Sequence, residues 1–245
     1  MTFRFLSSSL LGLCLLIPGC LDDTGGTDSA GPVAREPTPA DGQMPLLSVG
    51  DRWSTVSKGY DVVVNVTTTV AGFETHDGIA SYRTEAQSRM TTDDRTVAGS
   101  SNTWFRTSDQ ANIEVQTTNH LEYKGHTYNG TSSVVFEPPC RSFRWPLTIG
   151  AHWEETCTAQ ATMADGSAGM PVASRTRYNV EAFEPVTVPA GTFDSYRIRI
   201  ETDGSDSGYQ WVSAQACGIV KAMAGDNHNQ LSSELQSFHC AAKAI

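Results

Sequence analysis

His120, Glu122 and His126, in the stretch HLEYKGH, come nearest in this chain to a metal-ligand spacing. Imidazole and carboxylate both ligate divalent ions, and strand alternation would put all three on one face, compatible with a weak site. An exposed polar face is the simpler reading of so loose a spacing. Hydrolytic chemistry lacks its parts: GSDSG at 204–208 has Asp206 where a nucleophile elbow needs serine, and HExxH, a phosphate-binding glycine loop and a calcium loop are all missing. Acid pairs such as Asp93-Asp94 read as solvated turn residues. The sequence therefore predicts a non-enzymatic protein with no metal and no cofactor. An enzyme would need a site gathered from distant parts of the chain.

The N-terminus carries its own chemistry. Arg4 precedes an apolar run from Leu10 to Ile17, too short to span a bilayer and fitted to a signal peptide over residues 1–19. Ile17-Pro18-Gly19-Cys20 resembles the bacterial lipobox, which implies cleavage before Cys20 and acylation of its thiol. The residue after that cysteine is Leu21 rather than Asp, and the resemblance then implies the outer membrane, facing the periplasm. Each buried methylene contributes about 0.8 kcal/mol and one chain anchors only marginally, so several acyl chains are needed to hold a protein on its membrane. Residues 20–44, the acylated cysteine and a stretch rich in Gly, Pro, Asp and Thr, read as a disordered tether with a mean reach of about 25–30 Å. The formal net charge of −10, with no basic cluster, argues against nucleic acid and against direct docking on anionic head groups.

Residues 45–245 contain an internal echo. PLLSVGDRW at 45–53 returns as PLTIGAHW at 146–153, bringing Trp53 and Trp153 to matching places. Asn65-Val66 matches Asn179-Val180 and Ser81-Tyr82-Arg83 matches Ser195-Tyr196-Arg197, both at an offset of 114; Trp104 and Ile113 then match Trp211 and Ile219 at 107 and 106. Two diverged copies follow, 45–144 and 145–245. Val62, Val64, Val66 and Val70 share one face against Asn65, Thr67 and Thr69, while Tyr82, Thr84 and Ala86 alternate with Arg83, Glu85 and Gln87. Turn signals such as THDG and VPAG separate the runs. The fold class is all-β: antiparallel sheets in two diverged repeats, curved and half-barrel-like, or closing into one barrel or sandwich. How the copies pack stays open.

VTVPAGTFDSYRIRI at 186–200 and YQWVSAQACGIVKA at 209–222, preceded by PLTIGAHW, resemble a family of uncharacterised exported bacterial proteins with PL, GxxW, VPAGTF, YxW and GxVK motifs. The resemblance covers the last hundred residues or so well and the first copy faintly, because that copy has no VPAGTF. It implies a curved β fold similar to periplasmic lipid and lipoprotein carriers, an analogy of shape alone. Its signature residues look structural: Pro189 fixes the entry to a turn, Gly191 supplies a positive φ, and Phe193, Tyr196, Trp211 and Val220 fall on apolar strand faces, with Gly218 beside them.

With Cys14 in the leader and Cys20 acylated, Cys140, Cys157, Cys217 and Cys240 remain, and an exported chain favours two disulfides among their three pairings. A hairpin turning within GDNHN sets Cys217 opposite Cys240. Cys140–Cys157 then brackets PLTIGAHW. A thiolate metal site lacks the C-x-x-C spacing. These features suggest a lipid-anchored envelope protein that binds or carries a hydrophobic small molecule, lipid or acyl chain on curved sheets. The alternative is a structural or interaction module with a filled β core that meets another envelope protein.

Overall fold

The computed structural model describes residues 35–59, 62–92, 95–123, 126–204, 207–224 and 231–240. The leader, Cys20 and residues 21–34 of the expected tether lie outside the described residues. Strands β1 (Arg52–Gly59), β2 (Val62–His76), β3 (Ile79–Thr91), β4 (Arg95–Arg106), β5 (Asn112–Tyr123) and β6 (His126–Cys140) come from the first copy. The second supplies β7 (His152–Met163), β8 (Val172–Val188), β9 (Gly191–Thr202), β10 (Gly208–Ser213), β11 (Gly218–Ala224) and β12 (Leu231–His239). Every neighbouring pair is antiparallel, and β1 pairs with β12 from Arg52↔His239 to Lys58↔Ser232, so the sheet closes into one barrel. Closure removes the exposed edges that two separate half-sheets would leave.

The two halves use the same devices. Gly50, at φ +92°, donates its N–H to Val70 O, and Val70 N–H returns to Asp51 O; Gly150, at φ +83°, and Ala151 bond to Val180 in the same way. Immediately beyond each valine the strand bulges, between Val70 and Gly72 and between Val180 and Ala182. A bulge bends its strand, and beyond its bulge the β8–β9 hairpin comes to β12. Val70 therefore answers to Val180, and the Asn65-Val66 echo is a coincidence four residues out of register. Because four is even, the inward and outward faces were still read correctly. The β8–β9 hairpin is longer by two residues on each strand, which raises the offset to 114 at Tyr82 and Tyr196. At the bulges of β5 and β11, Ile113 corresponds to Val220 rather than Ile219, since Trp104↔Glu114 and Trp211↔Lys221 are equivalent pairs.

One end of the barrel is sealed. The long β8–β9 hairpin reaches across to β12, where Ala190 N–H donates to Leu235 O, and it buries Val186, Val188 and Phe193 against Ala216, Val220 and Leu235. Gly191 forms its turn at φ +135°. The loop between β6 and β7 adds Phe143, Trp145 and Leu147, packed on Trp153, Tyr178, Val180 and Ile198. Each large apolar side chain buried here contributes about 1.5–3 kcal/mol. Residues 35–44 are not tether: Pro39–Gly42 forms a 3-10 turn docked at this end, with Leu147 N–H donating to Gly42 O at 2.7 Å. Arg35 ties the segment to the β9 strand through Asp194 at 2.7 Å and to Asp41.

Candidate functional site

Cross-strand register sorts the wall into rows. Val64, Met90, Val97 and Leu121 are successive partners across β2–β5, and their outward neighbours Val63, Arg89, Ala98 and His120 are exposed, so this row points into the barrel. Two residues nearer the sealed end lie Val66, Ser88, Gly99 and Asn119, followed by Thr68, Ala86, Ser101 and Thr117, and then Val70, Thr84, Thr103 and Val115. No charged side chain stands in these rows. The first is apolar and sits near the end opposite the seal; the second and third are small or polar.

A barrel of eight strands is just filled by its side chains, and this one has more. The second copy compensates with bulk: Ile198 and Ile200 point inward at 0% and 8% exposure. The first copy has Thr84 and Ala86 at the equivalent places. Ala86, Ser88, Met90 and Val97 keep accessible surface although they face inward, while Val70, Thr84, Gly99, Ser101, Val115 and Thr117 are buried, so the accessible part of this half lies toward the end opposite the seal. Asn119 has a buried Oδ1 with no hydrogen-bond partner, and so does Gln210 at its Oε1. The site is a lumen sealed at the β8–β9 hairpin; across β2–β5 it is lined by uncharged side chains, while on β7 the register sets Glu155, paired with Arg141 at 2.7 Å, on the inward face.

The outer wall carries paired structural sets. Trp104 Nε1 donates to Glu74 and Trp211 Nε1 to Glu184, at 2.8 Å in the second case; Arg83 joins Glu74 and Arg197 joins Glu184. Trp211 thus corrects the sequence reading. Its partner across β9 is Arg197, so it lies on the outer, polar face, where its indole covers an ion pair. Trp53 on β1 donates to Ala216 O at 2.8 Å, and Trp153 on β7 stacks on Tyr178 with centroids 5.1 Å apart. Pro189 is at the exposed hairpin tip, while Phe193 and Tyr196 are buried. Gly218 opens β11 directly after Cys217, whose φ is +54°. The cysteines join as Cys140–Cys157 and Cys217–Cys240, with Cα separations of 5.5 and 6.4 Å.

The histidine reading changes. His120 and Glu122 share a face, with His120 Nε2 at 3.4 Å from Glu122 Oε1, and His120 Nδ1 2.7 Å from Asn129 Oδ1. His126 pairs with Tyr123 across the β5–β6 turn, placing it on the opposite face. A reversal of the chain resets the alternation that a continuous strand would keep. The bond to Asn129, with help from Glu122, holds the His120 imidazole above its ordinary pKa. A trio that sequence spacing did not suggest stands at the β2–β3 turn: His76, Asp77 and Glu114 have ligand atoms within 4.8 Å of one another. They could hold a divalent cation, although the 2.8 Å contact of His76 with Glu114 and the Gln116 bond to the other Glu114 oxygen satisfy the pair without one. No spacing rule joins residues from β2 and β5.

A cleft of about 340 Å³ crosses the outer wall of β7–β9, lined by His152, Arg177, Asn179, Arg199 and Glu201 among others. Arg199 pairs with Glu201 at 2.8 Å and Arg177 with Asp203 at 3.0 Å, so these arginines are held in ion pairs.

No family model matches the chain, and no curated protein does. Solved structures are similar in outline. A β-barrel-like protein of the domain of unknown function DUF1849 from Brucella abortus aligns at TM-score 0.48 and 7% identity, over 81% of this chain and 100% of its own. A Bacteroides fragilis protein with a YmcC-like fold aligns at TM-score 0.39 and 13% identity, over 81% and 99%. The hypothetical lipoprotein YmcC from Escherichia coli aligns at TM-score 0.32 and 8% identity, over 78% and 86%.

Proposed function

We propose that this chain is a lipid-anchored protein of the bacterial envelope whose barrel lumen binds or carries an apolar molecule, without catalysing a reaction. The observation that carries the reading is the uncharged inward face of β2–β5, buried toward the sealed end and keeping accessible surface and an apolar row near the other. Anchoring rests on the leader that ends at Cys20. Because residues 35–44 dock at the sealed end, a protein held through Cys20 would turn its lumen mouth away from its own membrane. The test is mass spectrometry of an organic extract from the exported Cys20→Ser chain after gentle purification. Stoichiometric lipid supports a carrier; an empty extract, together with failure to take up an environment-sensitive hydrophobic dye, refutes it.

A second reading is an interaction module. It is favoured by exposed apolar residues around the start of β8, with Met163, Met170 and Val172 at 39%, 87% and 63% exposure. Cross-linking in cells distinguishes the two, because a module must return one stable envelope partner.

A further inference from the structure

The tip of the β2–β3 hairpin brings two carboxylates to one imidazole. Glu114, on β5, is only 8% exposed, and its Oε2 lies 2.8 Å from His76 Nε2. Asp77 Oδ2 stands 3.9 Å from the same nitrogen, and the three ligand atoms lie within 4.8 Å of one another. Hydrogen bonds satisfy His76 and Glu114, but the charges do not balance: two carboxylates face one imidazole, which even when protonated answers only one of them. Among the described residues no lysine or arginine is paired with Glu114 or Asp77. A carboxylate as withdrawn from water as Glu114 is costly unless its charge is met. Asp77 and Gly78, at φ +48° and +79°, form the two-residue turn, which asks for Asp or Asn at the first place; only Asp adds the second negative charge.

The second copy shows what the fold itself requires here. Glu74↔Ser81 and Trp104↔Glu114 answer to Glu184↔Ser195 and Trp211↔Lys221, which sets His76 against Val186 and Glu114 against Lys221. Lys221 brings a cation of its own, with Nζ 5.8 Å over the Trp211 ring and 3.3 Å from Glu234, while Val186 is packed into the apolar seal. In the first copy the Trp104 indole stacks on His76 with centroids 4.3 Å apart, and a carboxylate stands where its twin has the ammonium. The trio is therefore no part of the duplicated framework.

We infer that His76 Nε2, Asp77 and Glu114 Oε2 bind a divalent transition-metal ion of the Zn²⁺ class at the β2–β3 turn. Ligand atoms about 2.0–2.2 Å from such an ion sit about 3.0–3.5 Å apart, so the His76–Glu114 contact opens by about half an ångström and Asp77 closes by a similar amount. Gln116 Nε2 donates to Glu114 Oε1 at 3.0 Å and leaves Oε2 to His76, the outer support that metal-binding carboxylates commonly have. The imidazole nitrogen favours Zn²⁺ or Cu²⁺ over Ca²⁺ or Mg²⁺, which take oxygen shells. The ion staples the hairpin tip to β5 across β3 and β4, as packing and the Ala190–Leu235 bond fasten the longer β8–β9 hairpin to β12. This site does not depend on what the lumen holds.

The experiment uses the exported Cys20→Ser chain freed of metal with a chelator, in which Cys140, Cys157, Cys217 and Cys240 are held in disulfides and offer no thiolate. Equilibrium dialysis against Zn²⁺ alone should find one equivalent bound. His76→Gln and Glu114→Gln should each weaken it at least about tenfold, Asp77→Asn, which keeps the turn, should weaken it less, and His120→Gln should leave it unchanged. Cu²⁺ should quench part of the tryptophan emission through Trp104, and His76→Gln should remove that quenching. Asp77→Asn serves if the other two variants do not fold. Absence of a bound equivalent, or binding that all three variants keep undiminished, overturns the inference and leaves an ion pair at the turn. Loss with His120→Gln alone overturns it too, by giving the ion to the β5–β6 face.

Discussion

Single side chains show how one local solution serves twice. Glu74, Arg83 and Trp104 in the first copy and Glu184, Arg197 and Trp211 in the second form the same outer-wall set, because each indole N–H needs an acceptor and the carboxylate supplies it between two partners. Trp211→Phe removes the donor and keeps an aromatic ring of smaller size, and should cost at least about 0.5–1.5 kcal/mol, the ordinary net worth of a hydrogen bond, read in urea unfolding. A loss several times larger would show that the set supports more than its own contacts. Asp41 makes a pH prediction at the same scale. The hydrogen bond from Arg35, with further bonds from Thr38, lowers its pKa to about 2 from 3.8. A depressed carboxylate contributes stability that is present above 3.8 and lost as the pH falls towards 2. Hydrogen exchange of residues 35–44 should therefore quicken over that interval, and Asp41→Asn should flatten the change. The pair is largely solvated, so added salt should weaken the effect at every pH.

Among elements, the sealing segments and the open half of the wall can be tested separately. A Cβ on Gly42 would lie 2.2 Å from Leu147 O, a backbone atom that cannot swing aside. Gly42→Ala should detach residues 35–44 and expose Arg35 to trypsin, while the barrel loses no more than about 1–3 kcal/mol, the usual cost of overpacking. Ala86→Ile gives the first copy the residue its twin carries at Ile200. If the lumen is unfilled there, the added bulk should raise stability by about 0.5–2 kcal/mol and reduce dye uptake. In a filled core the same change would lower stability instead. The strands themselves were legible because alternation over β3 and β9 is regular, as in Tyr82, Thr84, Ala86 against Arg83, Glu85, Gln87. The bulges were not, since an extra residue in a strand carries no composition of its own.

For the whole molecule, barrel closure depends on β12, the last strand and the partner of the first. Cys217–Cys240 ties its end to the β10–β11 turn. Replacing both by serine should cost about 3 kcal/mol, as expected for a loop of this size, seen as a lower urea midpoint and faster exchange along β1 and β12. Equal midpoints for the oxidised and serine forms would mean that closure is held by the sheet alone. Taken by itself, the sequence determined the all-β class and the inward and outward faces of β3 and β9, because each is written in local spacing or composition. Tertiary structure decided that the sheet closes into one barrel, that Val70 and not Val66 answers to Val180, that His126 leaves the face of His120, and that Trp211 turns to the outer face. Those outcomes depend on strand register and on barrel width, which are set by contacts between residues far apart in the chain.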